Sequence, residues 1–556
     1  MVELRLVPPA VMLWAVTLLI IGTRTPWWAT ILVIITGVAI AFWDQGLALA
    51  TTIIGLLGVT ITSIRVARVD TTTFTTTISG TAARPTQPTT TGWIQHFHLP
   101  GYPTTMPVLS CHNLDIPVGA QVELHGNPLT SDSFGLNHTL FLAQSATQLG
   151  EPTAIAQWAA WVRDTFLTAV QQHTTGAATA LIPAMVLGDT TAQTTEFKHQ
   201  FIATGLAHLS AVSGANVAIV TTFASLLVAR RSPRIKAAAA ALALLLYVTV
   251  VGPDASVLRA AATGIIGLVV MLSASVKAPI HSLATVVIGL LLWDSSLAAH
   301  YGFILSVAAT GGIIAAFPAL RHLIGRSGIP DIIVRALAVS LAAYLVTMPI
   351  VALMNHHISV VAVAANLLAA PVVAPITVVG LIAAIISLLP GGLETIPLNL
   401  IEPLADWIGL VARLGAWFPG ATITIDSPFA PAWAALLAGW IIWLLRRQHF
   451  RLILILLVCA LMAPGISSWS TARRVDPATL VTRTVRTKAE LITLERTQGI
   501  PPDTQLIIIE EPPETGFHQR RKARPWVTRG GIPVVIAGRD VYLYRDGTQH
   551  AVDGSF

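Results

Sequence analysis

Leu181–Val220 reads LIPAMVLGDTTAQTTEFKHQFIATGLAHLSAVSGANVAIV. An apolar run ends at Leu187-Gly188-Asp189, and an amphipathic piece with Glu196, Lys198 and His199 follows. From Gly205 the chain turns apolar again while keeping His208, Ser210, Ser213 and Asn216. Polar groups at membrane depth are costly and face a bundle interior or a watery cavity. Ser210, Ser213 and Asn216 recur every third residue, which on a helix places them on one face. Gly214 and the alanines beside it let a second backbone approach closely. The segment is either a broken helix lining a cavity, where a bilayer tolerates irregular backbone, or a close helix–helix contact.

The flanks decide what surrounds it. Of 556 residues, 54% are hydrophobic and 11% charged, against about 25% charged in a soluble chain. A protein core cannot absorb that deficit at this length, but lipid can. Apolar runs approaching the roughly 20 residues that a span requires lie at 6–21, 26–43 and 47–64. They resume at 206–229, 236–252, 257–275, 279–293, 301–320, 333–353, 358–389, 397–418, 429–446 and 450–466. The opening MVELRLVPPAVMLWAVTLLI resembles a signal peptide, but no small-residue cleavage site follows, so the first run is expected to remain as a span. Cys111 and Cys459 stand far apart, which predicts neither a disulfide framework nor a cysteine metal site.

These runs divide the chain into an N-terminal transmembrane block at 1–66 and a β module at 67–150, followed by an amphipathic, interfacial segment at 151–205. A membrane core at 206–389, C-terminal transmembrane helices at 390–467 and a tail at 468–556 complete it. The run at 397–418 carries Glu402, Asp406 and Arg413 and is the least regular span. Basic loops (Arg230–Lys236, Lys277, Arg321 to Arg335, Arg446–Arg451) alternate with loops holding Asp254, Asp294, His356 with His357, and Asp426. Basic loops stay in the cytoplasm, which places both soluble modules outside. Arg65 and Arg68 fall on the wrong side of this scheme.

The segment 67–150 reads as strands at Thr72–Gly80, Trp93–Leu99, Val108–Asn113, Val118–Gly126 and His138–Ala146, separated by Pro, Gly and Asn turns. Five short strands suggest a small closed barrel, for which the oligonucleotide-binding (OB) fold is the common solution. Trp93, His96, Phe97, His98 and Tyr102 either form an aromatic surface that stacks bases or fill the barrel core. In the tail, Leu506–Ile509 and Pro533–Ala537 read as buried strands around a basic stretch at 519–524. That stretch either grips phosphates or is a solvated face. The fold class is therefore an α-helical polytopic membrane protein of about 11–13 spans, with an extracytoplasmic OB-like β-barrel and a small C-terminal α/β module.

GLAHLSAVSGANVAIV (205–220) resembles the signature of the ComEC family of competence proteins, inner-membrane DNA-uptake channels. The resemblance continues through Gly252–Ala260 (GPDASVLRA), Trp293-Asp294, Tyr301–Gly311 (YGFILSVAATG), Thr347–Ile350 (TMPI) and Ala365–Pro371 (ANLLAAP), in the family's order. It also covers Val118–Gly126 in an outer OB-like domain. The resemblance implies a channel in the cell inner membrane that moves single-stranded DNA, drawn from double-stranded DNA outside, during natural transformation. Its partners would be a DNA receptor, a separate nuclease, and a cytoplasmic ATPase or DNA-binding proteins; homo-oligomerisation stays open. Along the DNA path it implies His208, Ser210, Ser213, Asn216, Arg259 and Asn366, and in the outer module Trp93, Phe97 and Tyr102. Asn366, with Pro371 and Pro375 in the same run, reads as a second break. Arg259 either faces a cavity and meets phosphates or snorkels to the interface.

Two departures limit what carries over. Where many members have a histidine after the Ser-Gly pair, this chain has Asn216. Long members end in a metallo-β-lactamase-like domain needing a His-x-His-x-Asp-His cluster, and after Ser467 the only histidines are His518 and His550. The expectation is a short member without nuclease activity, metal or cofactor. Two alternatives remain. One is a transporter of another polyanion or solute. The other is an intramembrane hydrolase with Ser213 as nucleophile and His208 as base, although residues five apart on one helix point to different faces.

Overall fold

The computed structural model describes residues 5–89, 92–114, 116–131, 134–210, 214–252, 257–265, 279–325, 330–355, 357–418 and 420–424. Beyond these it describes 474–475, 482–486, 490, 506–510, 534–536, 541–544 and 549–551. The expected spans at 429–446 and 450–466, Ser213, His356 and the basic stretch at 519–524 lie outside the described residues. The chain forms two compact units, Met1–Ile453 and Leu454–Phe556.

The first unit begins with three helices, α1 (Val7–Thr23), α2 (Pro26–Ala41) and α3 (Gln45–Thr71), packed on one another. Proline at the start of α1 and of α2 fits the first turn, where its missing N–H costs nothing. Asp44 caps α3 by accepting from Leu47 N at 3.0 Å. The ends of α2 carry exposed aromatics: Trp27 stacks on Trp28 at 3.7 Å, and Phe42 and Trp43 stand out at the other end. Two such girdles on a 16-residue helix, about 24 Å long, match the aromatic belts of a bilayer's two faces.

The β module is a barrel of β1 (Thr77–Ala82), β3 (Gly92–His98), β4 (Thr105–Ser110), β5 (Gln121–Thr130) and β6 (Thr139–Gly150). The order β1-β5-β6-β4-β3 is closed by β1 against β3, with Thr81 opposite His98. All contacts are antiparallel except β4 with β6. Each of the five expected strands is present. A sixth, β2 (Gln87–Thr89), lies outside the closed barrel beyond β3 and had no clear pattern in the sequence. Alternate residues turn inward, so Phe97, Met106, Val108, Leu124 and Phe141 form the core.

Next come α4 (Ala154–His173), α5 (Gly176–Leu187), α6 (Thr195–Ala203), α7 (Gly214–Leu227) and α8 (Pro233–Val251). Residues 257–265 are helical and are labelled α9. They precede α10 (Pro279–Trp293), α11 (Tyr301–Ile324), α12 (Asp331–Asn355), α13 (Ala362–Ile386) and α14 (Thr395–Trp417). A two-stranded ribbon, β7 (His357–Ser359) with β8 (Thr422–Thr424), ties the start of α13 to the end of α14. Among the described residues, five helices are long and apolar enough to cross a membrane: α3, α8, α11, α12 and α13. Shorter apolar helices include α1, α2, α5 and α10. The chain is a multi-pass helical membrane protein with a closed five-stranded barrel.

Several sequence readings need correction. The break expected after Asn366 is absent, because α13 runs through Pro371 and Pro375 without interruption. Proline is tolerated within such a helix when neighbours satisfy nearby carbonyls, and Trp407 Nε1 donates to Leu368 O at 3.0 Å. The run at 397–418 is α14, whose acids serve a neighbouring helix, as described below. Arg65 is not a stray loop charge. Its guanidinium donates to Ser295 Oγ at 2.6 Å, Leu292 O at 2.9 Å and Trp293 O at 2.5 Å, closing the C-terminal end of α10. Cations are favoured there by the helix dipole.

In the second unit, β10 (Thr482–Val485), β11 (Leu506–Ile509) and β12 (Val534–Ile536) form a parallel sheet. β9 (Arg474–Val475), β13 (Val541–Tyr544) and β14 (Gln549–Ala551) form an antiparallel one. Both strands expected in the tail are therefore present.

Candidate functional site

The segment that opened the sequence reading is organised around α5. This helix has 12 residues, about 18 Å of rise, too short for a hydrocarbon core of about 30 Å. Yet Ala178 and every residue from Ala180 to Leu187 are buried. Its N-cap Thr175 and first residue Gly176 are exposed, and like any helix it leaves orphan N–H groups at one end and orphan carbonyls at the other. Both ends of α5 are closed by side chains from other helices.

At the N-terminal end, Glu402 Oε1 on α14 accepts from Thr175 N at 2.8 Å and from Thr175 Oγ1 at 2.9 Å. One turn along, Asp406 Oδ1 accepts from Ala178 N at 3.1 Å. A further three residues on, a Cβ at Gly409 would lie 2.4 Å from that of Ala177, so only glycine lets the two helices cross there. Glu402, Asp406 and Gly409 share one face of α14. The carboxylates also complement the positive end of the α5 dipole.

At the C-terminal end, Gly188 takes the left-handed conformation (φ +75°) and its N–H returns to Ala184 O at 3.0 Å. Asp189 N reaches Pro183 O at 3.3 Å. Two of the remaining carbonyls are met from other helices. Asn216 Nδ2 on α7 donates to Met185 O at 2.7 Å, and Tyr247 Oη on α8 donates to Val186 O at 3.1 Å. The Asn216 and Tyr247 side chains also bond one another. Asn216, which took the place of the expected histidine, thus anchors the broken helix.

Between α6 and α7 the chain does not form one helix. Ala207–Ser210 is a single 3-10 turn and α7 starts at Gly214. Ser210 ends that turn and Asn216 lies on α7, while Ser213 between them is outside the described residues. Gly205 (φ +67°) starts the irregular stretch and lies against Ala362 of α13, with a hypothetical Cβ 2.6 Å from the alanine's. His208 Nδ1 meets Gly205 O at 3.1 Å. His208 is exposed. Ser210 Oγ is buried without a partner.

Arg259 on α9 is 6% exposed and does not snorkel. Its Nε donates to Ser306 Oγ on α11 at 2.5 Å, and Nη2 lies against Gly214. Asn366 stays on its own helix, donating from Nδ2 to Ala362 O at 2.9 Å. Arg259 thus lies against the start of α7, the helix that carries Asn216, while His208 bonds Gly205 O and Asn366 bonds within its own helix. Tyr247, Glu402, Asp406 and Ser306 were missed as partners, because each answers a backbone or side-chain group distant in sequence.

In the barrel, Phe97 is fully buried and Tyr102 is 9% exposed, so both are core rather than an open stacking surface. Tyr102 packs edge-on against Phe74 and donates to Asn137 Oδ1 at 2.8 Å. Trp93 alone of the three keeps partial exposure. The barrel is tied to the membrane helices by Arg24, which bonds Asp70 Oδ1 at 3.1 Å and the carbonyls of Gly135 and Leu136. On α4, just after the barrel, Arg163 donates to Val250 O and Val251 O at the end of α8. The ends of α1 and α3 thus lie on the barrel's side.

Against known proteins, the Competence protein family model matches residues 185–450. No curated protein and no solved structure matches the chain. The matched region contains Met185, Asn216, Tyr247, Arg259 and Ser306, the residues that build the broken-helix site. Residues 185–450 thus match the model of the Competence protein family, the ComEC family that the sequence resembles.

Proposed function

We propose that the chain is the channel by which single-stranded DNA crosses the inner membrane during natural transformation. The observation that carries this reading is α5, a short buried helix held at both ends by side chains, beside an irregular stretch on which His208 is exposed. Irregular backbone at membrane depth is tolerated where it is buried in protein or lines a cavity. A strand brings one negative charge per nucleotide, so its path needs donors that hold it without trapping it.

The barrel on the outer side is read as an OB-type module. Its five strands close as a small barrel with one parallel contact, in keeping with the partly open Greek-key barrels that bind oligonucleotides. With Phe97 and Tyr102 in the core, base stacking there falls to Trp93. The three parallel strands of the tail fit an α/β module, since parallel neighbours need crossover connections.

The test is a deletion strain supplied with labelled double-stranded DNA. Bound DNA should accumulate outside the cytoplasm, transformants should vanish, and the wild-type gene should restore both. Unchanged delivery of label to the cytoplasm would reject the reading.

A further inference from the structure

The connection between β5 and β6 carries an aromatic ring that the barrel does not bury. Ser131 N donates to His138 O at 2.7 Å and closes the connection on itself. Leu136, 1% exposed, joins the barrel core. Asn137 Oδ1 accepts from Thr139 N at 2.9 Å and from Tyr102 Oη at 2.8 Å. The carbonyls of Gly135 and Leu136 accept from Nη2 of Arg24, on the turn between α1 and α2. With the residues after it held in this way, Phe134 is left 61% exposed.

A single exposed apolar side chain is ordinary on a wet surface, but Phe134 does not lie on one. A Cβ built on Gly22 would lie 3.3 Å from Phe134 Cε2, so the ring rests on the last turn of α1, where glycine makes room for it. Just past Arg24, α2 begins, and its first turn carries Trp27 and Trp28, 49% and 51% exposed and stacked on one another. From there Ile31, Ile34, Ile35 and Val38 continue an exposed apolar surface along α2. In a multi-pass protein such a surface faces lipid, and aromatic rings gather at its edge. Phe134 belongs to the barrel by sequence, yet it sits at the same end of the helices as the tryptophan pair.

A nucleobase is the other natural partner for an exposed ring. The surroundings favour lipid. The ring lies against a membrane helix rather than on an open barrel face, and residues 131–138 include Asp132 but no lysine or arginine. Arg24 is engaged by Asp70 Oδ1 at 3.1 Å and by the two carbonyls. A strand needs cations for its phosphates, whereas an apolar ring enters the headgroup boundary without them.

We propose that the connection between β5 and β6 is a lipid anchor: Phe134, together with Trp27 and Trp28, seats in the bilayer interface on the barrel's side and holds the barrel down on the membrane. The anchor is independent of what the membrane helices conduct, and it stands even where the channel reading fails.

The test uses the full-length protein carrying Cys111→Ser and Cys459→Ser, in phosphatidylcholine nanodiscs. A nitroxide is attached in turn to Phe134→Cys, to Ile34→Cys and to His98→Cys. Ile34 is 53% exposed within α2, and His98 is exposed on β3. Collisions with oxygen, which concentrates in hydrocarbon, are compared with collisions with an aqueous nickel chelate. The oxygen-to-nickel ratio at position 134 should stand well above that at 98 and approach that at 34, and added oligothymidylate should not change it. A ratio at 134 no higher than at 98 overturns the anchor. A fall in nickel collisions at 134 when oligothymidylate is added assigns the ring to nucleic acid and overturns it as well. Should the labelled cysteine disturb assembly, para-fluorophenylalanine at position 134 keeps the ring, and its fluorine relaxation reads the same contrast between oxygen and nickel.

Discussion

Asn216 Nδ2 donates to Met185 O at 2.7 Å, joining the first turn of α7 to the last turn of α5. Through this bond a polar residue of the family region satisfies a carbonyl that α5 cannot use within itself. The bond ties the start of α7 to the end of α5.

Removing that bond should be felt in assembly before it is felt in transport. Asn216→Leu strands Met185 O in an apolar interior, a cost of about 1–3 kcal/mol. Tyr247→Phe removes the neighbouring bond to Val186 O, where intramembrane hydrogen bonds average about 0.6 kcal/mol. Thermal unfolding in detergent should therefore rank wild type, Tyr247→Phe and Asn216→Leu in falling order. Equal melting of all three would show that the end of α5 is held by something else.

Arg65 offers a second check, on how the N-terminal helices hold the family region. Its guanidinium makes three hydrogen bonds across to the end of α10, and Trp14 Nε1 adds one to Ala298 O at 3.0 Å. Arg65→Ala leaves two carbonyls uncapped and should cost about 1–3 kcal/mol, with faster proteolysis between α3 and the barrel. Arg65→Lys supplies one ammonium in place of the fork and should recover part of the loss. Wild-type protease resistance in Arg65→Ala would remove this residue from the docking account.

Tyr102 gives the barrel a pH signature. Burial raises its phenol to about 12, with Arg24 opposing and Asp70 assisting. A folded-state value above the unfolded one means that the stabilisation is complete below about 10 and is lost as pH rises toward 12. Alkaline titration of the whole protein, as the difference between wild type and Tyr102→Phe, should show one tyrosine ionising near 12. A difference spectrum centred on 10 would place Tyr102 at the surface.

Much of this arrangement was legible in the residues, and the exceptions share one cause. The strands of the barrel announced themselves because alternation and turn residues are local signals. Asn216 stood out because an amide within an apolar run is rare. Glu402 and Asp406 looked like defects in a span, and Arg65 like an exception to loop charge. Each satisfies backbone groups far away in the chain, and a single sequence does not name that partner. The twelve residues of α5 were read as part of an interfacial segment. Their shortness was the available clue, since apolar runs of 10–14 residues are more often buried or re-entrant than spanning.

The central claim is that DNA passes beside the broken helix, and cross-linking during import tests it most directly. A photoreactive benzoylphenylalanine replaces His208, exposed on the irregular stretch before α7, or Leu245, 65% exposed on α8. Cells are then illuminated while importing labelled DNA tethered to a bulky outer particle. The account predicts a protein–DNA adduct at position 208, protected from external nuclease, and none at 245. An adduct at 245 with none at 208, in strains that import DNA normally, would contradict it.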